Sequence, residues 1–466
     1  MRNKQEGGLQ IGVRSFLTAI LVIFILMIGA YVLTLTVPGG EYARVEDASG
    51  NLVIDTEAGF SYADGGMPFW KWVLSPLLVL TAAGNTTLIA VIAFLLVIGG
   101  VFSALEYSGL MKYMLEKMVA RFGAVRYRLL AIVLFFFMAM GSLIGSFEEC
   151  VPLVPIVVAL SVKLGWDALT GVGMSLLAVG CGFAAGVCNP FTVGVAQELA
   201  GLPMFSGAGF RAVGFVLIYL LLWFFVRSHA GRVERPVEDV SSSEFQQNAK
   251  MDRGLVCFAS ILGGGMALVL CSAFVPVLQG ITMIIVAVVF LAAGVVSTLV
   301  SGMAGKQLAK TAWKGITGIF PAVLMILMAS SIKYTLEEAN VLDTLLHGAV
   351  GIAQTLPSWS VILFVYLIVL VMNFFISSGS AKAFMLIPLI VPLAQVFGMS
   401  SQLCVMAFAF GDGFSNVLYP TNPVLLISLG LADVSYGKWF RWSFKFQLAN
   451  LVLTSGLLLL GSVIGY

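Results

Sequence analysis

Residues 186–190 read Gly-Val-Cys-Asn-Pro and residues 419–423 read Tyr-Pro-Thr-Asn-Pro, each inside a long apolar stretch, 168–199 and 400–430. Proline lacks an N–H and its ring clashes with the preceding turn, so neither stretch runs as one unbroken helix. Well before each Asn, and at the same distance in both cases, lies a polar tip set in apolar sequence, ending in Glu149 in one case and in Lys382 in the other. These paired breaks and tips organise the reading of the whole chain.

The 466 residues are 60% hydrophobic and 10% charged, with a mean hydropathy of +1.02. A soluble domain carries roughly 25% charged residues, so the fold class expected is an all-α polytopic membrane protein. The net charge of +2 comes without a basic stripe, which removes nucleic acid as a partner. The six cysteines sit in apolar stretches without C-x-x-C spacing and read as packing residues. No cofactor is indicated, His229 and His347 are isolated, and no HExxH or GxSxG motif points to an enzyme.

A spanning helix needs about 20 mostly apolar residues, and flanking Lys/Arg set its orientation. Residues 14–36 form the first span, retained because no A-x-A-like cleavage site follows it. Arg2, Lys4 and Arg14 precede this span and the acidic loop 38–66 follows it, so the N-terminus is expected inside. Segment 67–84 reads as interfacial, 86–106 as a span and 107–128 as a basic helix lying on the inner surface. Residues 129–163 and 357–397 are each too long for one span and are read as re-entrant hairpins. Spans at 205–227, 254–275, 279–300, 315–332 and 438–465, with an amphipathic segment at 333–350 and the broken helices 168–199 and 400–430, bring the total to nine and leave the C-terminus outside. The polar stretch 228–253 is the one clear linker, a cytoplasmic one, between a first repeat (1–227) and a second (254–466).

A single gap-free shift of the second repeat onto the first aligns Pro155 with Pro388, Gly165 with Gly398, Gly180 with Gly413, Asn189 with Asn422 and Pro190 with Pro423. Units whose hairpins face opposite sides are inverted-topology repeats, and such repeats hold substrate near the bilayer midplane at discontinuous helices. The same shift sets Glu149 against Lys382.

The tip Gly145-Ser146-Phe147-Glu148-Glu149-Cys150-Val151-Pro152-Leu153-Val154-Pro155, the two Asn-Pro breaks and the Ser/Gly tip resemble the YfcC branch of the DcuC-type carriers, within the ion transporter superfamily. The resemblance covers essentially the whole chain. It implies a scaffold holding a transport domain made of both hairpins and both broken helices, moving like an elevator, with substrate and often Na⁺ held between tips and breaks. Relatives of this kind are named for dicarboxylates, for arginine–ornithine exchange and for peptide-like compounds, so the resemblance leaves the cargo open.

Ionisable residues at membrane depth are costly and mark pathways or partners. Glu148 and Glu149 are candidates for binding a cationic group or a proton; the alternative is that they accept backbone N–H bonds at the second limb. Ser377, Ser378, Gly379 and Ser380, at a helix start, with Lys382, form a recipe for holding a carboxylate, or else an ordinary turn with a snorkelling lysine. Asn189 and Asn422 offer amides where proline frees carbonyls, with Thr192 and Thr421 as helpers. Asp412 is a cation or proton site or else the partner of Lys382. Ser146, Asn189, Thr192, Asp412 and Asn422 are the candidates for ion coupling, to Na⁺ at the tips and breaks or to H⁺. The reading is a secondary transporter of the bacterial inner membrane, carrying a small amino- and carboxylate-bearing solute such as a basic amino acid. A C4-dicarboxylate is the alternative cargo, a channel or intramembrane enzyme the alternative class, and the bilayer and a second copy of the chain are the expected partners.

Overall fold

The computed structural model describes residues 13–46, 52–55, 58–82, 86–145, 147–236, 247–272 and 282–466. The chain is helical almost throughout, as a membrane requires, because a helix satisfies its own backbone hydrogen bonds where no water can. Helix α1 (Val13–Thr36) is followed by two small antiparallel sheets, β1 (Gly40–Tyr42) with β4 (Phe60–Tyr62) and β2 (Arg44–Glu46) with β3 (Leu52–Ile54). Nothing in the sequence of loop 38–66 points to these strands. They dock through Asp343, which accepts from Tyr42 N (3.0 Å) and pairs with Arg44 (2.8 Å), and through His347, which stacks on Phe60 at 4.1 Å.

Then come α2 (Phe69–Leu78), α3 (Thr86–Tyr107), α4 (Leu110–Phe122) and α5 (Arg126–Ile144), the first limb of the first hairpin. A 3₁₀ turn (Glu148–Leu153) leads into α6 (Val154–Lys163), the second limb. The first broken helix consists of α7 (Ala168–Val172), a π-helical turn (Gly173–Leu177), α8 (Ala178–Ala185), the break, a second π-helical turn (Pro190–Gly194) and α9 (Val195–Leu199). Helix α10 (Ala208–Val233) runs past residue 227, and α11 (Ala249–Ser272) begins before 254. The linker is therefore shorter than 228–253, and residues 237–246 of it lie outside the described residues.

The second half holds α12 (Thr282–Val300), α13 (Gly305–Glu338), α14 (Val341–Ala353), the hairpin limbs α15 (Ser358–Phe375) and α16 (Gly379–Val396), the broken helix α17 (Ser401–Asn416) and α18 (Pro423–Leu431), and α19 (Tyr436–Ile464). Sequence puts a span at 315–332 and an amphipathic segment at 333–350. Instead α13 continues to Glu338, and the chain turns at Asn340, whose φ is +52°. Asn tolerates that left-handed conformation better than most residues.

Among the described residues, seven helices are long and apolar enough to cross a membrane. Both limbs of the second hairpin, α15 and α16, are among the seven. The broken helices lie innermost: every residue of α8 is buried, as is α17 from Leu403 to Asn416, while α1 presents Leu17, Leu21, Phe24, Ile25, Ile28, Val32 and Leu35 outward. An apolar outer face is what lipid tails accept.

The order of elements from α5 to α9 recurs in the second half as α15 to α18, at the spacing that aligns the two Asn-Pro breaks. At the centre α8 crosses α17. A Cβ at Gly180 would overlap Val417, and one at Gly413 would overlap Ala184. Gly180 and Gly413 are equivalent in the repeat, as are Ala184 and Val417, so the crossing is self-complementary in the manner of a two-fold interface.

Candidate functional site

The second break starts where α17 ends at Asn416 and α18 begins at Pro423. Asn422 caps α18, its Oδ1 accepting from Val424 N at 2.9 Å, with proline in the first helical position, where its missing N–H costs nothing. Its amide Nδ2 donates to Asn416 Oδ1 at 3.0 Å. That oxygen also accepts from Asn373 Nδ2 (3.0 Å), which points at the Asp412 carbonyl (3.0 Å) and Ser415 Oγ (2.6 Å) as well. Lys382, one turn into α16, donates to Asn373 Oδ1 and to Asp412 Oδ1, the latter at 2.5 Å. Lys382 and Asp412 are both 0% exposed. A network of Lys382, Asp412, Asn373, Asn416 and Asn422 thus ties both limbs of the second hairpin to both parts of the second broken helix. Removing one member of such a buried pair leaves a bare charge, at a cost of about 3–5 kcal/mol.

Three buried oxygens around this network have no hydrogen-bond partner among the described residues: Asp412 Oδ2, Thr192 Oγ1 and Thr421 Oγ1. Two of these residues meet at Gly379, the first residue of α16. A Cβ there would lie 2.7 Å from Asp412 Oδ2 and would overlap the methyl of Thr192. The second tip therefore touches the second broken helix through Asp412 and the first through Thr192.

The first break is built differently. Helix α5 ends at Gly145, whose φ of +72° suits glycine, and a side chain there would collide with the Asn189 amide. Ser142 stitches hairpin to break: its Oγ accepts from Val187 N (3.0 Å) and its carbonyl from Cys188 N (3.2 Å). Asn189 is buried, and its Oδ1 accepts from Thr192 N at 3.2 Å. The carbonyls freed at the end of α8 are taken by Arg211 of α10. Its Nε donates to Gly186 O (3.0 Å) and its Nη2 to Val187 O (3.1 Å), while Nη1 reaches Ser206 O (2.8 Å) and Tyr466 Oη (3.2 Å). Arg211 is 1% exposed.

Of the residues singled out from sequence, Lys382, Asp412 and Asn422 come together in one network, and Thr192 and Gly379 border it. Asn189 belongs to the first break, and Thr421 is buried beside Asn422. Asp412 is the partner of Lys382, one of the two roles expected for it. Ser377 and Ser380 are half-buried and Ser378 is exposed at the helix start. Ser146 lies outside the described residues, as do the side chains of Glu148 and Glu149, whose backbone forms the 3₁₀ turn.

Sequence reasoning missed Asn373, Ser415, Asn416 and Arg211. A signal existed for most of them: Ser415 and Asn416 lie three and four residues after Asp412, on one helix face. Arg211 is the one charged residue between 205 and 226. Among the described residues no three His, Cys, Asp or Glu side chains cluster to hold a metal ion.

YfcC of Escherichia coli (strain K12), whose assignment as a basic amino acid antiporter is provisional, is 29% identical over 380 residues, 76% of this chain and 74% of that one. An uncharacterised protein of Haemophilus influenzae (strain ATCC 51907 / DSM 11121 / KW20 / Rd) is 25% identical over 393 residues, 82% of this chain and 75% of that one. Among solved structures, the YdaH transporter of Alcanivorax borkumensis aligns over 97% of this chain and 99% of its own at 18% identity, with a TM-score of 0.44. The family described as DcuC, C4-dicarboxylate anaerobic carrier, matches residues 16–463. With that match spanning nearly all of a multi-pass membrane chain, the protein is a transporter belonging to the DcuC family of carriers.

Proposed function

We propose that this protein is a secondary active transporter of the bacterial cytoplasmic membrane that carries a small solute bearing both amino and carboxylate groups, an amino acid. A basic amino acid exchanged for its catabolic product fits best. The observation that carries this reading is the fully buried Lys382–Asp412 pair at the meeting of a hairpin and a broken helix. Opposite charges at membrane depth are costly, and a substrate that brings both charges has a use for both. The provisional name of the Escherichia coli relative is in keeping with this cargo.

In this reading the halves are inverted-topology repeats, 1–227 and 254–466. The hairpins and broken helices move as one body against the remaining helices, and the protein works as a homodimer. The N-terminus lies inside and the C-terminus outside, following the basic residues around the first span and the acidic loop after it. The acidic tip Glu148–Glu149 faces a cationic side chain, and the tip Ser377, Ser378, Gly379, Ser380 and Lys382 faces the carboxylate. Asn189, Thr421 and Asn422 complete the substrate site, and Na⁺ or H⁺ couples through Ser146, Asn189, Thr192, Asp412 and Asn422.

The second reading, a C4-dicarboxylate, is favoured by the description of the family. It sets a dianion beside Asp412. Uptake of labelled arginine, ornithine, other amino acids and succinate into proteoliposomes, with and without a Na⁺ gradient at fixed pH, separates these cargoes. Entry of succinate alone overturns the amino acid reading.

A further inference from the structure

Resting on the amino acid reading above, we propose that the Lys382–Asp412 pair is itself the receptor for the zwitterionic head of an α-amino acid. The substrate ammonium binds Asp412 and its carboxylate binds Lys382, and the two protein charges part to admit it. This takes Asp412 out of the coupling-ion set and into the substrate site, and leaves the acidic first tip to the cationic side chain.

Asp412 Oδ1 is held by Lys382 at 2.5 Å, whereas Oδ2 is buried, lacks a hydrogen-bond partner among the described residues and faces the start of α16 at Gly379. A buried carboxylate oxygen left without a donor is expensive, and an ammonium supplies up to three donors. Thr192, carried from the opposite half, sets its methyl against Gly379 on the same side and closes the site with an apolar wall.

The charge of Lys382 then narrows the class of ligand. A bare cation or a simple amine at Oδ2 would face the Lys382 ammonium across one carboxylate, and like charges at that range repel strongly in a low-dielectric interior. A dicarboxylate would find Lys382 but would set its own charge against Asp412. A zwitterion brings a carboxylate for the displaced lysine, so two buried charges remain paired before and after binding and none is left bare.

Geometry supplies the rest of the carboxylate site. Lys382 lies in the first turn of α16, and its own N–H goes to Ser378 O at 3.1 Å. The N–H groups of Gly379, Ser380 and Ala381, which a helix leaves without intrahelical partners, issue from the same end. An ammonium and a helix N-terminus together make a carboxylate cradle. Asn373 and Asn416 hold Asp412 and Asn422 in register from the other side.

The test uses the purified full-length protein and ligand-induced thermal stabilisation with the proteinogenic L-amino acids, followed for the best binder by the amine left when its carboxyl is removed and by its Nα-acetyl derivative. Both derivatives are expected to bind at least about 30-fold more weakly, the loss that follows when one partner of a buried charge pair goes missing. The double variant Lys382→Met/Asp412→Asn removes both charges together, so no bare charge is left to unfold the protein. A variant that elutes and melts like the parent is expected to lose amino acid binding by a similar factor. If it binds within about threefold of the parent, or if the decarboxylated amine binds as well as the amino acid, the receptor assignment is overturned while the amino acid reading stands. If the parent is stabilised and loaded by succinate alone, that reading itself falls.

Discussion

The two breaks share a backbone plan and differ in chemistry. Asp167 caps the first broken helix through Thr170 N (2.9 Å), and Ser400 caps the second through Leu403 N (3.1 Å), with cap matching cap and donor matching donor in the repeat. Gly180 and Gly413 let the two helices cross at equivalent points. The side chains then part company. The positions in the first half equivalent to Asn373, Asp412, Ser415 and Asn416 are Met140, Val179, Gly182 and Phe183. The second break is lined with amides, a hydroxyl and a charge pair, whereas the first is apolar at these positions and borrows Arg211 from a neighbouring helix to satisfy its carbonyls. Among the described residues, the charge pair thus belongs to the second opening in the backbone, and the equivalent positions of the first are apolar.

The sharpest way to break that distinction is to strip the charge from one side of the pair. Lys382→Met or Asp412→Asn alone should lower stability by about 3–5 kcal/mol, since each leaves one buried charge without its partner. The double variant should recover most of that loss, giving a coupling energy readable from a thermal-denaturation cycle. Additive losses would show that the pair is not coupled.

At the first break, Arg211→Gln should cost about 2–3 kcal/mol, because charge-assisted bonds to Gly186 and Val187 are lost. Arg211→Lys should recover only part of this, as a point ammonium does not span two carbonyls as a guanidinium fork does. Full rescue by lysine would mean that charge, and not the fork, holds this break. At the meeting of the two breaks, Gly379→Ala drives a methyl into Thr192 and against Asp412 Oδ2. It should cost about 1–3 kcal/mol and slow transport, checked by melting temperature and uptake side by side.

The smallest effect compares the two caps. Asp167 is pushed up by partial burial, but hydrogen bonds from His229 and Thr170 outweigh this and hold its carboxyl down at about 2. A carboxyl depressed in the folded state lends stability that is present above its unfolded value near 4 and is lost as pH falls toward 2. With some solvent screening this amounts to about 1 kcal/mol. Asp167→Asn should remove the corresponding slope from the pH dependence of melting, whereas Ser400→Ala should weaken the second cap without any such slope.

Much of this is legible in the sequence because it is local. Asn-Pro stops a helix wherever it stands, and polar tips in apolar runs mark hairpins. A repeat of breakers at constant spacing survives when the apolar residues between them drift. Lys382 with Asp412 is legible only as an alternative, because a pairing between separate helices depends on how α16 packs against α17. Arg211 stands out in the sequence only as a lone charge, and Asn373 escapes it altogether: each looks like a stray polar residue until the carbonyl it serves is brought to it by the fold. The strands of 38–66 escape it for a similar reason. They are short, and they are held by Asp343 and His347 from the far half of the chain.

The carriage of an amino acid by the Lys382–Asp412 pair is tested most directly by counterflow in proteoliposomes that hold the parent protein or the Lys382→Met/Asp412→Asn variant. Unlabelled amino acid trapped inside should accelerate entry of the labelled amino acid through the parent and do nothing through the variant, and trapped succinate should have no effect on either. Acceleration of labelled succinate by trapped succinate, with amino acids inert, would contradict it.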